Sequence, residues 1–314
     1  MNRMRGVALI IALVVVTLAT LMATRIGSQS SLDQRRAATL MAHEQALQMA
    51  LGAEAWAIEV LYQDATTTQH DSLDETWAMP LPPLPIDGGQ LQASLEDMQG
   101  RFNLNNLLKP DGTQNMLAVA QFTRLLAALG LEPKWADLLL DWIDADSLVT
   151  GNDGGEDSVY TSLSPSYRPP NRPIASISEL LALPDFGAER YHQLAPYVAA
   201  LPVGTPLNVC TASSLVLDTI APGLSDFAEG TAQLAVHRQK GCFPALADVQ
   251  AAVTPLIKNP TDRQAVMAGL SESTHYFRGK TIVSLGTTQL TMYSLIERNA
   301  AGPSRVIIRT LGTE

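Results

Sequence analysis

The chain has 314 residues and a formal charge of −10, with 31 acidic side chains against 21 basic ones. That balance argues against nucleic acid as a general partner, since phosphate binding draws on a surplus of Lys and Arg. The length is enough for about two folded units beyond an anchor.

Residues 7–24 carry no charge and are rich in Leu, Val, Ile and Ala. At about 1.5 Å per residue, a helix of that length approaches the roughly 30 Å hydrocarbon core of a bilayer, so the segment reads as a membrane anchor. It is longer than a secretory-signal core, and Met22-Ala23-Thr24-Arg25-Ile26 is a poor cleavage site for one. Arg3 and Arg5 precede the run, which keeps the N-terminus cytoplasmic and sends everything after about Arg25 across the membrane. By itself this terminus also fits an ordinary signal anchor.

The helix is expected to continue unbroken to about Tyr62, because no Pro occurs before Pro80. Leu40, Leu47, Leu51, Ile58 and Tyr62 recur at spacings of seven and four, predicting one face packed on a sheet, with Glu44, Glu54 and Glu59 solvating the rest. Residues 63–89, with Thr66-Thr67-Thr68, four prolines and Asp87-Gly88-Gly89, read as a loop. Residues 90–104 alternate as a strand or hairpin, with Leu91, Ala93 and Leu95 on one face. The period then turns helical, predicting helices at 116–129, 134–143, 177–183, 187–200, 213–220, 224–239, 245–253 and 262–268. Three antiparallel strands follow at 276–285, 289–298 and 304–311. Strand material on both sides of a helical block implies an α+β chain: a long N-terminal helix on an antiparallel sheet, interrupted by a helical insertion.

Residues 141–157 hold Asp141, Asp144, Asp146, Asp153, Glu156 and Asp157 with three glycines, and no Lys or Arg lies between Lys134 and Arg168. Hard oxygen donors without His or Cys suit calcium rather than zinc. The EF-hand spacing fails at Leu148, Val149 and Gly155, leaving a private calcium site or a solvated acidic loop. Residues 178–187 and 207–212 open two hairpin-like helix pairs. The first carries Glu179, Asp185 and Glu189 against Arg190, so packing is favoured over phosphate binding. Cys210 and Cys242 both fall on the exported side, where pairing is favoured over two buried thiols. The five histidines are scattered and no nucleophile elbow occurs, so no enzyme is expected.

Several stretches together resemble one family. Arg5-Gly6-Val7-Ala8-Leu9 resembles a prepilin leader and the start of a mature pilin. Gly100-Arg101-Phe102-Asn103-Leu104-Asn105, Asp141-Trp142-Ile143-Asp144-Ala145-Asp146, Tyr167-Arg168-Pro169-Pro170-Asn171 and Asn208-Val209-Cys210-Thr211-Ala212 follow in order. The whole chain resembles the K-type minor pseudopilins of type II secretion.

The resemblance implies cleavage by prepilin peptidase after Gly6, N-methylation of Val7, and a mature charge of −12 after loss of Arg3 and Arg5. Most pilins and pseudopilins carry Glu at the fifth mature position, where this chain has Ile11, as the K-type subunits lack that Glu. An apolar residue there implies a subunit with nothing stacked above it, hence a cap at the tip of a periplasmic pseudopilus. Implied partners are the I-type and J-type minor pseudopilins, the H-type beneath them, the inner membrane, and the secretin or exoprotein cargo. Implied divisions are a leader at 1–6, a membrane segment at 7–26, a pilin-like head at 27–104 and 272–314, and an inserted helical domain at 105–271. The implied cofactor is calcium, on Asp144, Asp146, Asp153, Glu156, Asp157 and Asn171. The alternative from another class is a membrane-anchored, calcium-dependent adhesin or cargo receptor.

Overall fold

Helix α1 (Arg3–Thr67) runs for 65 residues without a break in the computed structural model, which describes residues 3–224, 241–299 and 304–312. It passes the expected end at Tyr62 because Thr66 and Thr67, read as loop residues, turn their hydroxyls back onto the carbonyls of Gln63 and Asp64 at 2.7 and 2.9 Å. Its apolar first part is exposed, and it is the one helix among the described residues long and apolar enough to cross a membrane.

The sheet has five strands: β1 (Leu84–Ile86), β2 (Gly89–Asp97), β3 (Tyr276–Leu285), β4 (Thr288–Glu297) and β5 (Arg305–Leu311). They pair antiparallel in that order. The β1–β2 hairpin turns on Asp87-Gly88, where Gly88 has φ +79°, the left-handed conformation such tight turns require. β1 arises from the Pro-rich stretch assigned to a loop; it is an edge strand, where Pro85 withholds no needed donor.

The face of α1 that meets the sheet overlaps the leucine stripe but is centred on alanines. Ala46, Ala50, Ala53 and Leu61 are buried, Leu47, Leu51 and Ile58 are half-buried, and Leu40 and Tyr62 are exposed. Alanine lets the helix axis approach the sheet closely, with Leu91, Val283, Leu290 and Met292 supplying the bulk from the other side. Glu54, expected to be solvated, is buried in this interface.

β2 and β3 pair along their whole length, from Gly89↔Leu285 to Asp97↔Phe277, so the chain leaves the sheet after Asp97 and re-enters at Tyr276. The described residues between form the helical insertion. Its larger core includes Phe102, Leu104, Phe122, Trp135, Trp142, Tyr160 and Phe186. Phe102 and Leu104, placed with the head from sequence, thus belong to the helical unit. They are carried there by a short parallel pairing of Phe102–Asn103 with Val198–Ala199. Helices α2 (Met116–Ala128) and α3 (Lys134–Ile143) follow the expected bounds within a residue.

Two expected helices give way to 3-10 turns. Residues 177–183 form a 3-10 turn at Ile177–Ala182, capped by Ser176 and Glu179. The predicted 187–200 helix stops at Leu194 and ends in a 3-10 turn with Pro196 before the strand Val198–Ala199. Most of the predicted 224–239 helix lies outside the described residues.

The insertion is rooted in the head by a buried polar knot. Asp97 Oδ2 accepts from Asn208 Nδ2 at 2.9 Å and from the hydroxyls of Thr211 and Thr274 at 2.5 and 2.6 Å. Burial pushes Asp97 up to about 6 while these donors pull the other way.

Candidate functional site

The acidic segment folds back on the end of α3. Asp141, Asp144 and Glu156 are all buried, and each brings one carboxylate oxygen within 4.8 Å of the others. Asp141 sits one turn after Leu138 on the buried face of the amphipathic helix, and Asp144 caps its C-terminal end in extended conformation. The following loop wraps back over them. Thr150 N donates to Asp141 at 3.0 and 3.2 Å, and Gly154 passes so close to Asp141 and Thr150 that a Cβ would collide with both. At Gly155 a Cβ would meet Leu138 at 2.9 Å. The glycines are thus required by close approach over the acids, and they deliver Glu156 to the site.

Both Asp144 oxygens, Glu156 Oε1, Tyr160 Oη and Asn171 Oδ1 are buried with no hydrogen-bond partner among the protein's groups. Burial, then the charges of Asp146 and Asp141, pushes Asp144 up to about 6. Burial, then Asp141, Asp144, Asp146 and Asp157, pushes Glu156 up to about 7. Leaving this many acceptors unpaired costs free energy that a bound cation would offset, and an all-oxygen donor set fits a hard divalent ion.

The six residues named from sequence separate into groups. Asp144 and Glu156 converge, and Asn171, held at φ +47°, donates from Nδ2 to Asp146 O at 3.1 Å while its Oδ1 stays free of protein donors. Asp146 is exposed and accepts a hydrogen bond on Oδ1 from Leu148 N at 2.8 Å, acting on the group through its field. Asp157 begins helix α4 (Asp157–Thr161) and pairs with Arg168 at 3.2 Å, beside the converging trio and outside it. Asp153 is exposed and lies on the Asp137 side of the loop, outside the converging group. The missing member was Asp141. Its signal was an acid on the apolar side of α3, between Leu138 and Trp142, where a charge persists only with partners.

The other named residues lie far from this site. Gly6 and Val7 are in the first turns of α1, and Ile11 is 58% exposed on the apolar run. Cys210 and Cys242 are joined by a disulfide in a second core, with Val216, Leu217, Val249 and Val253.

Comparison with known proteins gives this architecture its place. The family described as "Type II secretion system (T2SS), protein K" matches residues 100–203, which span α2, α3 and the acidic loop. The type II secretion system protein K of Pseudomonas aeruginosa is 36% identical, covering 98% of this chain and 92% of that relative. This chain belongs to the type II secretion system protein K family. The Aeromonas hydrophila protein K is 30% identical over 95% of this chain and 94% of its own. A chain from the crystal structure of the GspK-GspI-GspJ complex of enterotoxigenic Escherichia coli matches 89% of this chain and all of its own, with a TM-score of 0.76 at 27% identity. As a protein K, the chain is a minor pseudopilin of type II secretion, a structural component of the machinery, and α1 fits a single membrane pass.

Proposed function

We propose that this protein caps the tip of the type II secretion pseudopilus, anchored by α1 in the inner membrane before assembly and carrying its head in the periplasm. I-type and J-type minor pseudopilins are its direct partners in this reading, with the H-type below them. The observation that carries it is the insertion of a whole helical unit between two adjacent strands of a pilin-like head. That unit adds width which a close-packed shaft has no room for, and at an end it meets no neighbour above. Ile11 supports the same position, since burying an unpaired carboxylate there would cost several kcal/mol. The likeness to a chain of the GspK-GspI-GspJ complex supports the choice of partners, and family membership favours it over an adhesin or cargo receptor.

Calcium binding belongs to the same reading. Asp141, Asp144 and Glu156 would hold the ion, with Asn171 Oδ1 as a further oxygen. Its contribution is structural, neutralising the carboxylates that fasten the 144–156 loop to α3.

The test is full-length protein coexpressed with prepilin peptidase and the I-type and J-type subunits. The expected product starts at methylated Val7 and is extracted from membranes as a ternary complex. Gly6→Val should stay a precursor and stop secretion, and Ile11→Glu should not increase incorporation into pseudopili. Normal processing of Gly6→Val would remove the leader assignment, and a gain from Ile11→Glu would contradict the tip position.

A further inference from the structure

A second group of carboxylates lies in the head, where α1 stops. Asp64 on α1 and Asp71 and Glu75 on the connection after it each bring one oxygen within 4.8 Å of the others. Arg298, just past β4, answers part of this charge: its Nη1 donates to Asp64 Oδ2 at 3.0 Å and its Nη2 to Asp71 Oδ2 at 2.5 Å. Thr274 N also donates to Asp71 Oδ2, at 2.6 Å, and Ser72 N and Trp77 Nε1 both donate to Glu75 Oε2 at 2.9 Å. The remaining oxygens are left over. Asp71 is 1% exposed, yet its Oδ1 has no hydrogen-bond partner, and Glu75 Oε1 is buried in the same condition.

We propose that Asp64, Asp71 and Glu75 form a second site for a hard divalent cation of the calcium class, with Arg298 as a fixed counter-charge on the oxygens the ion does not use. Three carboxylates facing one guanidinium need two further positive charges for balance, which such an ion supplies. With bonds of about 2.3–2.6 Å, two oxygens on opposite sides of calcium stand about 5 Å apart, and this trio falls within that limit. An all-oxygen set has no preference for soft metals. Burial, then the charges of Glu75 and Asp71 and a hydrogen bond with Asp71, hold the Asp64 carboxyl well above the usual range against the pull of Arg298, so one guanidinium does not answer the crowding of these acids. Asp71 O also accepts from Asn208 Nδ2 at 3.0 Å, so an ion here would lock the end of α1 to the root of the helical insertion.

Trp77, hydrogen-bonded to Glu75, makes the site readable by terbium luminescence under tryptophan excitation in the full chain in detergent. A calcium-competable component is expected that survives Asp144→Asn/Glu156→Gln, which removes the cluster in the helical unit, so failure of either site is seen separately. That component should be lost in Glu75→Gln and in Asp64→Asn, and Trp77→Phe should remove the energy transfer even if a carboxylate variant fails to fold. A component unchanged by Trp77→Phe, or no calcium-competable component at all, overturns the proposal. A melting temperature that shifts with pH near neutrality, is indifferent to calcium and loses its pH dependence in Asp64→Asn would show a shared proton only, and would overturn it too.

Discussion

Arg309 on β5 grips Glu54 on α1 through two hydrogen bonds, Nε to Oε2 at 2.9 Å and Nη2 to Oε1 at 2.6 Å. Ser294 on β4 adds a third donor to the same carboxylate. The two partners are unequal, since the Glu54 side chain is 8% exposed and that of Arg309 42%. Arg309→Ala leaves a buried carboxylate without its cation and should cost about 3 kcal/mol. Glu54→Gln leaves an arginine that can turn to water and should cost about 1 kcal/mol. Denaturant unfolding of the two variants checks the order, and equal losses would contradict the burial asymmetry.

The alanine face of α1 gives a second prediction. Ala50 is fully buried between helix and sheet, so Ala50→Leu should destabilise the head by about 1–3 kcal/mol through overpacking. Leu40 is 66% exposed, and Leu40→Ser should change stability by no more than about 0.5 kcal/mol. Thermal melting of both variants decides which face of α1 meets the sheet.

The proposed calcium site would couple the ion to pH through Asp144 and Glu156. Their folded-state pKa values lie above the unfolded values of 3.8 and 4.5, so without calcium the folded chain binds more protons. The stability they contribute is therefore present in acid and lost as pH rises from about 4 to about 7. Calcium requires the ionised forms, so its stabilisation should grow over the same interval. Melting scans with calcium and with chelator should diverge at about pH 7.5 and converge near pH 5. Parallel curves across that range would remove calcium from this site.

Reduction of Cys210–Cys242 reopens a loop spanning a sequence separation of 32, worth about 3–4 kcal/mol on the chain-entropy estimate. Both cysteines pack in the smaller helical core, so protection from hydrogen exchange should fall there and persist in β2, β3 and β4. Protein taken from the periplasm should show no free thiol after denaturation.

Much of the architecture follows from local patterning. The uncharged run 7–24, the absence of Pro before Pro80, the helical period through 116–143 and the alternation after Tyr276 each act within a few residues of chain. They predict the membrane helix, the insertion and the C-terminal strands, and α2, α3 and β3 lie within a residue of their expected bounds. What local pattern does not contain is which surfaces meet. The leucine spacing finds only part of the packed face of α1, Leu47, Leu51 and Ile58, because it reports hydrophobicity, whereas the sheet selects side chains small enough for close approach at Ala46 and Ala50.

The acidic loop is legible as a charge run, and Asp144 and Glu156 are named from it, but the place of Asp141 beside them is not. By itself the sequence determined that these carboxylates lie close together in the chain without a nearby basic residue. Only the tertiary structure decided that Asp141, Asp144 and Glu156 turn inward, that Asp157 turns out to Arg168, and that Asp71 waits beside an arginine 227 residues away. The reason is physical: periodicity is set by neighbours along the backbone, whereas desolvation, which gives a buried charge its consequence, is set by whatever distant segments exclude the water.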